Sequence, residues 1–335
     1  MKKVLFATTA LIATAGVASA QGVTLSGSAE MGIYGGDMIN FGTGVVTARN
    51  TQFHTDIDVT FTMSGTTDNG LTFGASVDLD ESDGAGAVGA SAAFAANTQG
   101  GETIFLSGNF GTVTMGDTDG AFDWAMNEVP GGPGSLQDDE TSHAGFNGNA
   151  GLDGTYDGQI LRYDNTFGAF GIAVSAEIDD TTGAAQGDPV IGIGLRYNLN
   201  LGGSDMEIAI GHQQTSTAAN VDSSVTGISL DTTISGLNVG LNYSVMQNDA
   251  WVDDQSHVAI GVGYSMDAIS FGLNYGVYDN LGGVAANDRN GIGFSAGYDL
   301  GGGASLLLGY GYSEVNIGAV STNVSEWSFG VSMSF

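Results

Sequence analysis

Cysteine is absent from the 335 residues, so no disulfide braces this chain in any compartment. Proline is nearly absent too, limited to Pro130, Pro133 and Pro189. A residue that cannot donate to a sheet ladder is thereby kept out of almost the whole length, as continuous hydrogen-bonded strands demand. Positive charge is equally scarce: six Lys and Arg face 37 Asp and Glu, for a formal charge of −31. Nucleic acid is excluded as a partner, and acidic surfaces are poor ones. No later segment approaches the roughly 20 apolar residues of a spanning helix. What is present argues against disorder, because 42% of the chain is hydrophobic, with 16 Phe and 11 Tyr.

Lys2 and Lys3, an apolar run from Val4 to Val17 and the closing Ala18-Ser19-Ala20 make up a secretory signal peptide. Residues 1–20 are therefore expected to be cleaved, leaving residues 21–335 as a single domain. Only Arg49, Arg162, Arg196 and Arg289 then oppose the carboxylates.

The final ten residues put Trp327, Phe329, Val331, Met333 and Phe335 on one face and Ser328, Gly330, Ser332 and Ser334 on the other. Lipid outside a closed barrel covers such an aromatic row and leaves the small polar row to a lumen. Period-2 alternation bounded by turn residues recurs along the chain in about sixteen stretches, many near 9 to 11 residues long. They fall at residues 23–35, 51–64, 71–80, 102–109, 112–117, 159–166, 170–178, 189–198, 205–215, 225–233, 238–247, 257–266, 270–278, 290–298, 304–313 and 326–335. Short connections such as 165–169 and 199–204 interleave with longer acidic ones. The expectation is an all-β fold, a 16-stranded antiparallel transmembrane β-barrel whose even strand count returns both termini to the periplasmic side. A secreted β-sandwich is the alternative, separable by heat modifiability on a denaturing gel. The segment 118–158, with Gly131-Gly132-Pro133-Gly134, is too long for an idle connection inside a compact domain.

Two stretches carry a family resemblance: residues 61–76, through Ser64-Gly65-Thr66-Thr67-Asp68-Asn69-Gly70-Leu71, and residues 104–111, followed by Met115-Gly116-Asp117. Over about residues 23 to 120 the chain closely resembles the Rhodobacter-type general porins of Gram-negative outer membranes. The resemblance implies a homotrimer of 16-stranded barrels, with 118–158 as an inward-folded third loop that constricts the pore. In that family the barrel wall facing this loop is basic. Here the matching positions are Glu30, Asp56, Asp58, Asp78 and Asp80, which reverses the wall's polarity.

Parity supports a lumen position for these five independently, since they alternate with Met31, Ile57, Val59, Val77 and Leu79. Opposite the wall, Asp117, Asp119, Asp123 and Glu128 open the long loop, and Arg162 and Arg196 share the inward parity. Rings of acidic side chains are a known route to cation selectivity. The reading is therefore an outer-membrane channel for passive diffusion of small hydrophilic solutes and ions, favouring cations. The run Asp138, Asp139, Glu140 suits Ca²⁺ in ligand type, although its spacing matches no calcium loop and no cofactor is required. Phe335 is read as the C-terminal signal for the barrel-assembly machinery.

Two other classes stay open. One is a structural or adhesive barrel whose acidic loops are bridged by divalent cations to lipopolysaccharide and outer-membrane lipid. The other is an enzyme, for which His54 with Asp56 is the only local pair, since no HExxH or nucleophile-elbow spacing occurs.

Overall fold

The computed structural model describes residues 21–81, 98–136, 140–200 and 202–335, so the expected signal peptide at 1–20 lies outside it. Sixteen antiparallel strands form one closed barrel. The first five are β1 (Gln21–Gly36), β2 (Gln52–Thr66), β3 (Thr72–Glu81), β4 (Thr98–Gly108) and β5 (Gly111–Asp117). After the long segment come β6 (Gln159–Phe167), β7 (Phe170–Glu177), β8 (Val190–Asn200), β9 (Ser204–Ser216), β10 (Asp222–Ile234) and β11 (Leu237–Asn248). The last are β12 (Gln255–Met266), β13 (Ile269–Asp279), β14 (Asp288–Gly301), β15 (Ala304–Ile317) and β16 (Val320–Ser334).

Each strand pairs with its neighbours in sequence, and β16 closes on β1 from Ser28↔Ser334 to Gly36↔Glu326. Phe335, just past β16, exchanges backbone hydrogen bonds of 2.9 and 3.4 Å with Gly27. Closure leaves no sheet edge, which is what allows backbone to sit in hydrocarbon without disulfides or prolines.

One rim carries turns of a few residues. At the β10–β11 turn Ser235 and Gly236 both have positive φ, 50° and 83°, matching a mirror-image hairpin turn. Gln21, the first described residue, and Phe335 both lie at this rim. On the outer face beside it, Phe170, Tyr197, Tyr264, Phe271 and Tyr298 are exposed in a row, the level at which aromatic rings meet lipid headgroups. Longer connections occupy the other rim, apart from the two-residue turn between β15 and β16, and one of them carries a small hairpin, Met38–Ile39 paired with Val46–Thr47, that alternation did not foretell.

Strand ends differ from the sequence reading where amphipathic contrast fades. Strand β16 begins at Val320, six residues ahead of the expected 326, because Ser321, Thr322, Asn323 and Ser325 give no apolar alternation. Ladder hydrogen bonds carry the strand above the apolar band regardless of side chain. The few fully buried apolar residues lie inside the barrel, clustered around Phe122, Met126 and Leu152 of the long segment with Val190 and Val225 of the wall.

Candidate pore wall and constriction segment

The described parts of the long segment, residues 118–136 and 140–158, lie on the inner wall beyond β5. A single helical turn, α1 (Ala121–Ala125), lies against β7, β8 and β9, with Phe122 and Met126 buried beneath it. Pro130 then reaches Gly240 and Gly261, and Leu136 arrives at Gly330 and Gly32, where the barrel closes. The return leg passes His143 against Gly291, Gly145 against Gly276 and Leu152 against Gln213. The two legs are joined at the neck, where Asp153 accepts hydrogen bonds from Gly120 N (2.7 Å) and Gln213 Nε2 (2.5 Å). Glu177 receives the end of the segment, accepting from the backbone N–H groups of Gly154, Tyr156 and Gly158 at 3.1, 3.1 and 2.8 Å.

The acidic residues of β1–β3 are brought together by register. Glu30 stands directly across from Asp56, and Asp58 from Asp80. Ser28 Oγ donates to Asp58 at 3.0 Å, and Thr60 Oγ1 donates to Asp78 at 3.0 Å. Met31 and Ile57, the alternate positions, are 55% and 47% exposed on the outer face. The carboxylates of Glu30, Asp56, Asp58 and Asp78 therefore share the inner face, with direct cross-strand neighbours about 5 Å apart. The side chain of Asp80 lies outside the described residues, although its backbone pairing is described. His54 is 2% exposed, with Nε2 3.4 Å from Glu30 Oε2 and its ring edge-on to Tyr34.

Both inward arginines hold the start of the segment. Arg162 pairs with Asp164 at 3.2 Å and donates to the carbonyl of Asp119 at 2.5 Å. Arg196 donates to the carbonyl of Ala125 at 3.1 Å, lies 4.4 Å over the ring of Trp124 and is 3.8 Å from Glu207. Each positive charge is thus matched locally, and neither offsets the acidic wall across the barrel. Of the segment's acidic residues, Asp119, Asp123 and Glu128 are half-buried on the outward leg, and Asp117 is exposed at the end of β5.

Glu140 does not sit in a solvated acidic run. It is 1% exposed, its backbone N–H bonds Ser135 Oγ, and its carboxylate accepts from Ser328 Oγ at 2.9 Å. Burial pushes its pKa above the usual carboxylate range. Asp138 and Asp139 lie outside the described residues. Among the described residues no three His, Asp or Glu side chains converge as a metal would need. Burial also raises Asp153 to about 6 and lowers His143 to about 4.

Sequence reasoning missed the inner wall of β7–β16. His257 has no motif partner in the sequence, yet it is buried and hydrogen-bonds the carbonyl of Gly145 at 3.0 Å. Glu177 and Gln213, both essentially inaccessible, lie in the stretches 170–178 and 205–215, where alternation marks only a strand. A signal existed: isolated long polar side chains at inward positions of strands otherwise lined by Gly, Ala and Ser.

The Gram-negative porin family model matches residues 7–318. This chain belongs to the Gram-negative porin family. It is 29% identical over 314 residues to the porin of Rhodobacter capsulatus, covering 86% of this chain and 93% of that one. Among solved structures, a porin refined at 1.8 Å resolution superposes with a TM-score of 0.66 at 23% identity, covering 94% of this chain and all of the other. A loop-deletion form of the Vibrio cholerae outer-membrane protein OmpT gives 0.65 at 13% identity, over 95% and 100%. The anion-selective porin of Comamonas acidovorans gives 0.60 at 15% identity, over 94% and 100%. The protein is accordingly an outer-membrane β-barrel channel of a Gram-negative bacterium, from a family of channels rather than enzymes. Porins of this family typically assemble as trimers, pass small solutes and need no cofactor.

Proposed function

We propose that this porin is a cation-preferring diffusion channel, its selectivity set by the carboxylates of β1–β3 facing the segment 118–158. The single observation that carries this is the cross-strand register that stacks Glu30 on Asp56 and Asp58 on Asp80, with Asp78 beside them. Permeation is passive, and the charge of the wall acts on small ions more than on neutral solutes. The anion-selective porin of Comamonas acidovorans has the same barrel fold, so side chains and not fold decide the sign. Purified protein in planar bilayers across a KCl gradient tests the reading. A reversal potential of the sign for K⁺ preference supports it, and Cl⁻ preference refutes it.

In this reading residues 1–20 are removed on export and Phe335 is recognised by the barrel-assembly machinery. The functional unit is a homotrimer, its contact face the outside of β1–β5. Among the described residues that arc presents no Tyr or Trp to the outside, carries small residues at Gly27, Ala29 and Ala75, and puts the exposed Glu102 opposite Val77. Lipid penalises a carboxylate at such a position, whereas a neighbouring subunit can accept it.

The structural reading, with acidic loops bridged by Ca²⁺ to lipopolysaccharide, draws on one feature. At the long-loop rim a cavity of about 720 Å³ is lined by Asp188, Asp222, Asp249 and Asp254 together with Gln214 and Gln247. A protein that retains lipopolysaccharide only until chelator is added, and that conducts no ions, favours this reading over the channel.

A further inference from the structure

The inner wall of β7–β16 is built for something other than water. Every one of these ten strands supplies a side chain that hydrogen-bonds the segment 118–158. On the outward leg Ser175 accepts from Ala121 N at 2.8 Å, Ser229 accepts from Asn127 N at 2.9 Å, and Asn242 donates to the carbonyl of Asn127 at 2.9 Å. On the return leg Asn274 donates to the carbonyl of Thr141 at 2.8 Å, and Ser313 accepts from Ala144 N at 2.9 Å. Ser229, Asn274 and Ser313 are each 1% exposed, so their bonds are made in a dry contact where a broken one leaves an unpaired polar group.

Beside these anchors many wall positions are glycine, with alanine at Ala173, Ala209 and Ala259. A methyl group at Gly194 would collide with the carbonyl of Ala121, one at Gly261 with that of Pro130, and one at Gly276 with that of Gly145. Segment backbone thus lies directly on strand backbone, with no side-chain layer between. Not every inward glycine is so used. At Gly263, two residues from Gly261 on the same strand, a methyl would meet nothing nearer than 3.6 Å, an ordinary contact.

We propose that this glycine-and-anchor seat is the size-determining device of the pore: it fixes how far the segment stands off the wall, and thereby the width left for solute. Gly194, Gly261 and Gly276 are positioning residues, acting on permeation through the backbone they admit. The inference rests on the channel reading above but not on its charge preference.

The test compares Gly261→Ala with Gly263→Ala, using liposome swelling with neutral sugars of graded size. Heat modifiability on a denaturing gel confirms a folded barrel in each. The expected result is a shifted size limit in Gly261→Ala, with Gly263→Ala unchanged. Equal limits in all three proteins, or equal shifts in both variants, overturn the seat. Wild-type liposomes that fail to swell with any sugar refute the channel reading itself. Should Gly261→Ala fail to fold, amide exchange on the wild type decides. The amides of Ala121, Asn127, Ala144 and Leu152 are expected to exchange as slowly as barrel amides, and exchange as fast as the exposed turns overturns the proposal.

Discussion

Neutralising the acidic wall tests its role directly. In the triple variant Asp56→Asn/Asp58→Asn/Asp78→Asn, the amide oxygens can still accept the bonds that Ser28 and Thr60 donate at 3.0 Å, so charge is removed with little change of shape. A monovalent cation about 5 Å from a carboxylate gains about 0.8 kcal/mol at the dielectric of bulk water. Three such charges give about 2.5 kcal/mol, and screening in 0.1 M salt, with a Debye length of about 10 Å, leaves about 1.5 kcal/mol. An anion suffers the same energy with opposite sign. The cation-to-anion occupancy ratio should therefore fall by about 3 kcal/mol, on the order of a hundredfold. At 1 M the Debye length shrinks to about 3 Å, and the same arithmetic leaves roughly a fivefold loss. Reversal potentials at matched concentration ratios and two mean salt levels measure both. A ratio that changes less than twofold at low salt, or equally at both levels, refutes a fixed-charge origin.

Arg196→Met keeps an aliphatic chain over Trp124 but takes the positive partner from Glu207 and the donor from the Ala125 carbonyl, so it should raise cation preference through the freed Glu207 charge, read by reversal potential in protein that a gel shift shows to be a folded barrel. Glu177→Ala strands three backbone N–H groups, each worth about 1 kcal/mol or more when buried and unpaired, and should expose residues 154–158 to limited proteolysis while the barrel persists. Asp153 titrates at about 6 against an ordinary 3.8, so its folded state holds the proton more tightly than the unfolded one. Its contribution to stability is therefore present at low pH and lost as pH rises between those values. Measured as the melting difference between wild type and the non-titrating Asp153→Asn, the wild type should lose ground from about pH 4 to pH 6. A flat difference would contradict the assigned shift.

The barrel was legible because lipid imposes a strict demand on every second residue. Ile191, Ile193, Ile208 and Ile210 advertise the outer face wherever hydrocarbon touches it. Above that band the demand lapses, which is why Val320 and the polar residues after it carried no strand signal. The acidic wall was legible through the same parity, since Asp56 and Asp58 flank Ile57 on the opposite face. The segment's seat was not. An inward serine that anchors backbone and one that merely wets the lumen look alike in sequence, and glycine at Gly194 or Gly276 reads as a small lining residue until the opposing chain is seen. Glu140 misled for a related reason: beside Asp138 and Asp139 it belongs to an acidic run, but in space it belongs to Ser135 and Ser328.

The seam between β1 and β16 joins the first and last strands of the barrel in chain order, down to the reciprocal bonds of Gly27 with Phe335. Until β16 reaches β1, two raw sheet margins stay open, and lipid offers nothing to satisfy them. Closure must therefore await the sixteenth strand. A product truncated even by a single strand would be left as a sticky intermediate in the periplasm rather than a smaller pore.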